Sequence, residues 1–586
     1  MNFLIDPVIH PFLQILITFL LCTGILKFGT LINQIFFKDY NYYFLNFAIG
    51  AILISQIICI SLISGIFKET IVFLSYSLIF LGISNFVFLK EIRILIKSLL
   101  ANKNNLFKYL ICVCFVSFIL ISLGPPSMSD ALDYHYGVPM YLLNYSFLPN
   151  QEIWLHGSLF GYGELISAIG LYLKTDNFFT FFQLFSLMLF FEYLIKKEND
   201  QSKIFFILFF IISSPVILFL ISGPKPLLFP QLLTTAALYM YFKEKKFDKK
   251  NIIFISLLLL GASQYKLSFI LSSVIIGALV LIRTFRFNRQ LIVYLVLISF
   301  FIYLPKIFYN FNQVEEFKTI NIFTTLPNIF LDYLSNYKDN DFVYPLNLFI
   351  PSSLGSITTI LGFQIFILFF IKKTSREFKS ILIITIVTIF IHLILGQQTS
   401  KIYFEFLLWI GIGFCFLEKV NFKNKNFTYA LLPQLSLILL ISIYFGVKTA
   451  PSLINLDYRD EFMKKNSFEY TGIKWANDKI NTNYPVISEL RSHALLSNEF
   501  IPLENVQKLQ ETNKYIEYLK LKNPKFIITK RKNFKDHFLK ECIGKIHKVS
   551  QDFNNSTRNP FNRGGKYKIY IYHFNFDKLN YCTIYK

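Results

Sequence analysis

The stretch Pro125-Pro126-Ser127-Met128-Ser129-Asp130-Ala131-Leu132-Asp133-Tyr134-His135-Tyr136-Gly137-Val138-Pro139 decides how this chain is read, because no Lys or Arg occurs between Lys108 and Lys174 around it. Cytoplasmic loops of a membrane protein collect Lys and Arg, so a polar segment without either belongs on the outer face. Basic clusters flank it: Lys90, Arg93, Lys97, Lys103 and Lys108 before, Lys196, Lys197 and Lys203 after. Composition sets the same frame. Of 586 residues, 54% are hydrophobic and 16% charged, with 69 Phe and 34 Tyr, which excludes an ordinary soluble domain. The formal charge of +22 comes largely from short loops between apolar runs, so it reports topology and implies a lipid bilayer, not nucleic acid, as partner.

Working outward, Ser158–Leu173 cannot be a span without putting Lys196 and Lys197 outside, and Gly161, Gly163 and Glu164 interrupt it. It reads as a helix at the outer interface. Fourteen spans then alternate consistently, near 8–27, 43–67, 70–89, 107–124, 177–195, 204–222, 227–242, 251–265, 267–282, 291–309, 352–371, 380–396, 401–418 and 428–446. With no basic residue before Lys27, the first run reads as a retained span with the N-terminus outside. The tail carries 24 Lys+Arg and 14 Asp+Glu from Ala450 onward and no long apolar run. Phe468–Ile480 and Val506–Leu521 have helical spacing; Pro485–Leu490, Lys525–Lys530, Lys545–Val549 and Tyr567–Phe574 read as strands, and Asn554–Gly565 as a polar loop. The fold class is therefore an all-α polytopic membrane protein with a C-terminal exoplasmic α/β domain. Residues 1–106 form N-terminal transmembrane helices, 107–449 a transmembrane region with its outer loop at 125–176, and 450–586 the tail domain. Cys22, Cys59, Cys112, Cys114 and Cys415 lie inside apolar runs; Cys542 and Cys582 lie in the tail, where an oxidising compartment allows either a disulfide or two free thiols.

Charged groups beside a bilayer are costly, so acids gathered in one outer loop are candidates for chemistry. Ser129 can cap a helix in which Asp130, Asp133 and Tyr134 share a face. A partly desolvated carboxylate there suits a general base on an acceptor hydroxyl, although solvated acids on an interfacial helix would look the same. His135 can hydrogen-bond a substrate or the loop. Trp154 and His156 can form a sugar platform or an interfacial anchor, Glu152 and Glu164 are second-rank acids, and His392 inside a span reads as a packing residue. A divalent cation is possible, but Asp130 and Asp133 are too few ligands to assign a metal site, and no cofactor is certain.

An outer loop with an Asp, an aromatic four positions on and a His next, followed by an interfacial helix and a span ending in basic residues, resembles the polyprenyl-phosphate-sugar-dependent glycosyltransferases of the GT-C superfamily. Asp130 and Tyr134 match the Asp-Glu-x-x-Tyr pattern, Ala131 stands where the second acid is usual, and the resemblance leaves Asp133 as its substitute. Gly261-Ala262-Ser263-Gln264-Tyr265-Lys266, Tyr344-Pro345-Leu346-Asn347 and Gln398-Thr399-Ser400-Lys401-Ile402-Tyr403 are further matches, and the first three spans precede the usual starting point. The resemblance implies transfer of a sugar from a polyprenyl-phosphate donor to a hydroxyl of a glycan, lipid or protein acceptor on the exoplasmic side. Asp130 would then be general base, and Lys225, Lys266, Lys306 and Lys401 would hold the donor phosphate unless they merely snorkel to head groups. A Lys/Asn/Ile/Phe-biased composition and no obvious retention signal favour the envelope of a bacterium, an inner membrane with a periplasmic tail, over an endoplasmic reticulum.

A transporter or flippase of a lipid-linked saccharide is the alternative from another class. It would place charges along the spans and show half-to-half symmetry, whereas the acids lie in one loop and no repeat is visible. A polymerase or ligase of lipid-linked glycans would favour Arg in its loops over the Lys seen here, and a noncatalytic protein would use its tail to bind a partner.

Overall fold

The computed structural model describes residues 2–581 apart from 38–41, 86–105, 150–153, 155, 158–159, 199, 245–247, 286–292, 294–295, 306–341, 372–373, 418–424, 481–482, 504–511, 534–538 and 557–563. The chain is mainly helical, with a small sheet region at its C-terminal end. Six described helices are long and apolar enough to cross a membrane: Pro11–Phe36, Tyr43–Ile63, Phe178–Lys197, Leu267–Thr284, Arg376–Ile394 and Leu431–Leu453. Tyr109–Ser122, Ser202–Ile212 and Val296–Pro305 are shorter apolar helices. Outward faces carry large apolar side chains, among them Phe73, Phe80, Ile386, Phe390, Ile394 and Val447. Water would penalise such a surface and hydrocarbon does not.

Fourteen full-length spans are not what the described residues form. The apolar run expected at 352–371 is not an α-helix but two 3₁₀ stretches, Leu354–Thr359 and Phe363–Phe370, parted by Gly362 at φ +94°, a backbone setting that favours glycine. The run expected at 204–222 breaks at Pro215 into Gln201–Ile212 and Val216–Leu220, since proline removes a backbone donor. The segment read as interfacial, 158–173, contributes the helix Tyr162–Tyr172. Its 11 residues reach only about 16 Å, too short to cross a bilayer, and all but its last residue are buried.

In the tail a five-stranded sheet has the order β2-β1-β3-β7-β4. Its strands are β1 (Val486–Ser488), β2 (Phe500–Pro502), β3 (Phe526–Thr529), β4 (Ile543–Val549) and β7 (Tyr570–Phe574); β5 (Phe553–Asn554) and β6 (Lys566–Tyr567) make a separate pair. β2, β1 and β3 run parallel, and β7 is antiparallel to both β3 and β4. The helix Thr512–Lys522 lies in the β2-to-β3 crossover, as parallel pairing requires, and Val486-Ile487-Ser488 is buried throughout, as a central parallel strand should be. Cys542 is disulfide-bonded, while Cys22, Cys59, Cys112, Cys114 and Cys415 are thiols; Cys582 lies outside the described residues.

Three distant pieces of chain meet at one end of the bundle. Asn2 donates to the carbonyls of Ala494 at 2.6 Å and Leu496 at 3.1 Å, and Phe3, Leu4 and Ile5 join the tail's core. Ser467 and Phe468 donate to the carbonyls of Pro126 and Ser127 at 2.9 and 3.2 Å, which seats the tail on the outer-loop segment quoted above.

Candidate functional site

The loop after the helix Leu106–Ser122 turns through Pro125-Pro126 and re-enters as a π-helical turn, Ala131–His135, with no side-chain cap at Asp130. The wider turn aims Asp130 and Asp133 at a common neighbour that sequence spacing could not reveal. Arg491, from the tail, stands 3.2 Å from Asp130 Oδ1 and 3.5 Å from Asp133 Oδ2 through one guanidinium nitrogen. Lys225 Nζ lies 2.5 Å from Asp130 Oδ2.

Each partner is held by identifiable packing. Gln183 of Phe178–Lys197 accepts from the backbone N–H of Leu227 and Leu228 at 3.1 Å each and donates to the Gly223 carbonyl at 3.1 Å, fixing the Ser222–Leu227 loop that carries Lys225. A Cβ on Gly223 would come within 2.7 Å of Met128 Sδ, so the two loops are in close contact there and a larger residue would have to displace the Met128 side chain. On the tail side, the loop leaving the carboxyl end of β1 carries Arg491 and His493. The Glu469 carboxylate accepts from Arg491 N at 2.8 Å and Ser492 N at 3.1 Å and pairs with Lys530 just beyond β3. The carboxyl ends of parallel strands are where open α/β sheets present ligand-binding loops. Here they present one to the membrane region.

Asp133 is fully buried, and four side chains surround its two oxygens. Oδ1 accepts from the Trp154 indole at 3.3 Å and His493 Nδ1 at 2.9 Å; Oδ2 accepts from His156 Nδ1 at 2.7 Å and faces Arg491. A carboxylate only accepts, so both imidazoles donate Nδ1–H. His135 Nδ1 is 2.6 Å from Glu164 Oε1, and Glu164 Oε2 accepts from Gly161 N at 2.7 Å.

Cations gather on the other side. Lys225 and Lys401 lie 4.9 and 5.2 Å from the centre of the same Phe219 ring, and Lys266 lies 5.5 Å from that of Tyr134. Burial pulls the Lys225 and Lys266 ammonium groups below their ordinary range, and their mutual repulsion with Lys401 adds to it, against the pull of Asp130. Burial would raise Asp130, but Lys225 beside it, then Arg491 and Lys401, hold its carboxyl well below the usual range. Burial would likewise raise Asp133, and the hydrogen bonds from His156 and His493 keep it low. His135 is pushed down to about 4, first by burial and then by Lys266 and Lys225, and is neutral at pH 7.

Among the residues nominated from the sequence, Asp130, Asp133, Tyr134, His135, Trp154, Lys225, Lys266 and Lys401 come together here. Glu152 and Lys306 lie outside the described residues. Trp154 is not an open sugar platform: it is 1% exposed, edge-on to Phe500 and His493, with Gly137 and Gly157 against its ring. Its indole N–H serves Asp133. The residues do not fit a divalent cation, since Lys225, Arg491, His156, His493 and Trp154 already occupy the oxygens of both aspartates, and among the described residues no group of three His, Cys, Asp or Glu converges as ligands. Sequence reasoning missed Arg491 and His493; the available signal was Arg491-Ser492-His493 following a short buried strand. It also passed over Glu405, one helical turn from Lys401, buried and bonded to Thr234 and, at 2.7 Å, to Ser272.

Fold and site together define a multi-helix membrane protein whose sheet-bearing tail closes an acid and cation cluster at the end of a helical bundle. The chain belongs to the DUF1420 family: the family model described as the DUF1420 N-terminal domain matches residues 81–451. That match spans the helices that carry Asp130 through Lys401, and it excludes the first two helices, all but the last turn of the third, Phe67–Ile83, and the part of the tail with Arg491 and His493. Comparison with curated proteins finds no match, and neither does comparison with solved structures.

Proposed function

We propose that the protein is an exoplasmic membrane glycosyltransferase of GT-C type that takes a sugar from a polyprenyl-phosphate donor. The observation that carries this reading is the convergence of Lys225, Lys266, Lys401 and Arg491 on Asp130 and Asp133 at one end of an apolar helical bundle. Four cations against three carboxylates, Glu164 included, leave one positive charge in excess, which favours a phosphate whose lipid tail stays among the helices. The acceptor oxygen bonds to the anomeric carbon while the bond from that carbon to the phosphate oxygen breaks. Polyprenyl phosphate leaves with the electron pair, and the hydroxyl proton passes to a base. Asp130, the base expected from the sequence, can serve once Lys225 turns from it toward the donor phosphate.

The test is a transfer assay in membranes, with a panel of radiolabelled polyprenyl-phosphate hexoses and pentoses. Wild-type protein should release polyprenyl phosphate from at least one donor, and a Lys225→Ala, Lys401→Ala double variant should lose at least about tenfold in kcat/KM, as expected when charge-assisted phosphate contacts are removed. Labelled lipid that crosses sealed vesicles unconsumed would favour the flippase instead.

A further inference from the structure

The carboxylate at the centre of the site faces one cation, Arg491 at 3.5 Å, but its closest charged partners are imidazoles. Asp133 Oδ2 accepts from His156 Nδ1 at 2.7 Å and Oδ1 accepts from His493 Nδ1 at 2.9 Å. In both rings the proton is thereby fixed on Nδ1 and the lone pair on Nε2, the arrangement by which an aspartate prepares a histidine to take a proton. Access separates the two rings. The His493 side chain is 5% exposed, stacks on Phe500 at 4.3 Å, and its Nε2 is buried without a hydrogen-bond partner. The His156 side chain is 22% exposed, and its ring lies 5.6 Å from Tyr134, the same ring that Lys266 overlies. Asp130, by contrast, is fastened by Lys225 and Arg491 on both oxygens.

We infer that His156, oriented by Asp133, is the general base for the acceptor hydroxyl, with His493 and Arg491 of the tail acting as positioning residues that hold Asp133. This rests on the glycosyl-transfer reading and names the proton's destination within it: the acceptor O–H proton goes to His156 Nε2 as the oxygen bonds to the anomeric carbon, and polyprenyl phosphate departs with the electron pair. The groups facing His156 are Asp133, Asp130, Arg491 and Tyr134. Burial lowers its affinity for protons, but the hydrogen bond and charge of Asp133 outweigh burial and Arg491, so the imidazole titrates above its ordinary range. The active form is the neutral one, and activity therefore rises with pH.

The experiment measures kcat/KM against pH for whichever polyprenyl-phosphate sugar of the panel the full-length protein consumes. The expected profile rises through a limb at or above about pH 6.5, the ordinary imidazole value. His156→Gln should keep the wild-type unfolding temperature, change donor KM by less than about threefold, and lose about 10²–10⁴-fold in kcat, the usual contribution of a general base. A limb below about pH 5, or wild-type kcat in a folded His156→Gln, removes His156 and returns the role to Asp130 while leaving transfer intact. The wild-type profile needs no variant to fold. Consumption of no donor by the wild type overturns both readings.

Discussion

Asp133 lies at 0% exposure beneath Trp154, His156, His493 and Arg491, and the chemistry of a carboxylate explains why nothing else serves there. Four donors need an acceptor with two oxygens and about four lone-pair sites. An asparagine would offer one oxygen and turn an N–H toward donors that cannot accept. Asp133→Asn should therefore cost about 3 kcal/mol of stability, since removing one partner of a buried charged pair leaves the others uncompensated. Thermal unfolding in detergent checks this, with a loss of under about 1 kcal/mol showing the bonds to be idle; Asp133→Glu, which keeps the charge, should lose less. Asp130 differs from its neighbour in kind. It bridges cations from two separate parts of the chain, so its removal unties Lys225 from Arg491 of the tail and leaves the largely buried Lys225 ammonium without its carboxylate.

Elements explain how far the sequence could be read. Apolar runs bounded by basic loops place Tyr43–Ile63, Phe178–Lys197 and Arg376–Ile394 within a few residues of their expected positions, because length and hydropathy are local properties, whereas Pro11–Phe36 continues through Lys27, where the first span is expected to end, as far as Phe36. The 3₁₀ stretches around Gly362 were not legible, since their apolar composition is that of a span and only the backbone tells them apart. The same limit applies to the site. Asp130, Tyr134 and the lysines are visible as oddities against apolar surroundings, whereas Arg491 and His493 sit in a polar tail where such residues are ordinary, and tertiary contact alone gives them meaning. The first three helices show a further feature that hydropathy does not contain. A Cβ on Gly29 would lie 1.8 Å from the Asn46 carbonyl oxygen, one on Gly24 2.0 Å from that of Leu78, and one on Gly82 2.2 Å from that of Leu20. Backbones touch at these points, as small residues allow in membranes. Gly29→Leu must push Pro11–Phe36 off Tyr43–Ile63, and the expected result is loss of the folded species in gentle detergent, scored by size-exclusion chromatography; a monodisperse variant at wild-type yield would show that the helix pair yields without cost.

At the scale of the whole molecule, the chain's two ends and its outer loop share one face. Asn2 bonds to the tail, the tail bonds to Pro126 and Ser127, and Arg459 of the helix Leu456–Asn466 forms a buried ion pair with Asp176, just before Phe178–Lys197. Such a face must lie on one side of a bilayer, and the absence of Lys and Arg from Lys108 to Lys174 argues that it is the outer side. The disulfide at Cys542 points the same way, because structural disulfides persist in oxidising compartments. Lys174 and Lys479 are exposed on the shared face, whereas Lys250 is exposed at the start of the helix Lys249–Tyr265, in the sequence cluster Lys243, Lys245, Lys246, Lys249 and Lys250 that the alternation of spans reads as cytoplasmic. In otherwise intact cells, Lys174→Cys and Lys479→Cys should therefore react with an impermeant thiol reagent added from outside. Lys250→Cys should react only after permeabilisation. Labelling of Lys250→Cys from outside with protection of the other two would invert the molecule, put the acid and cation cluster in the cytosol, and take with it the lipid-linked donor, while labelling that separates Lys174 from Lys479 would contradict the packing of tail on loop.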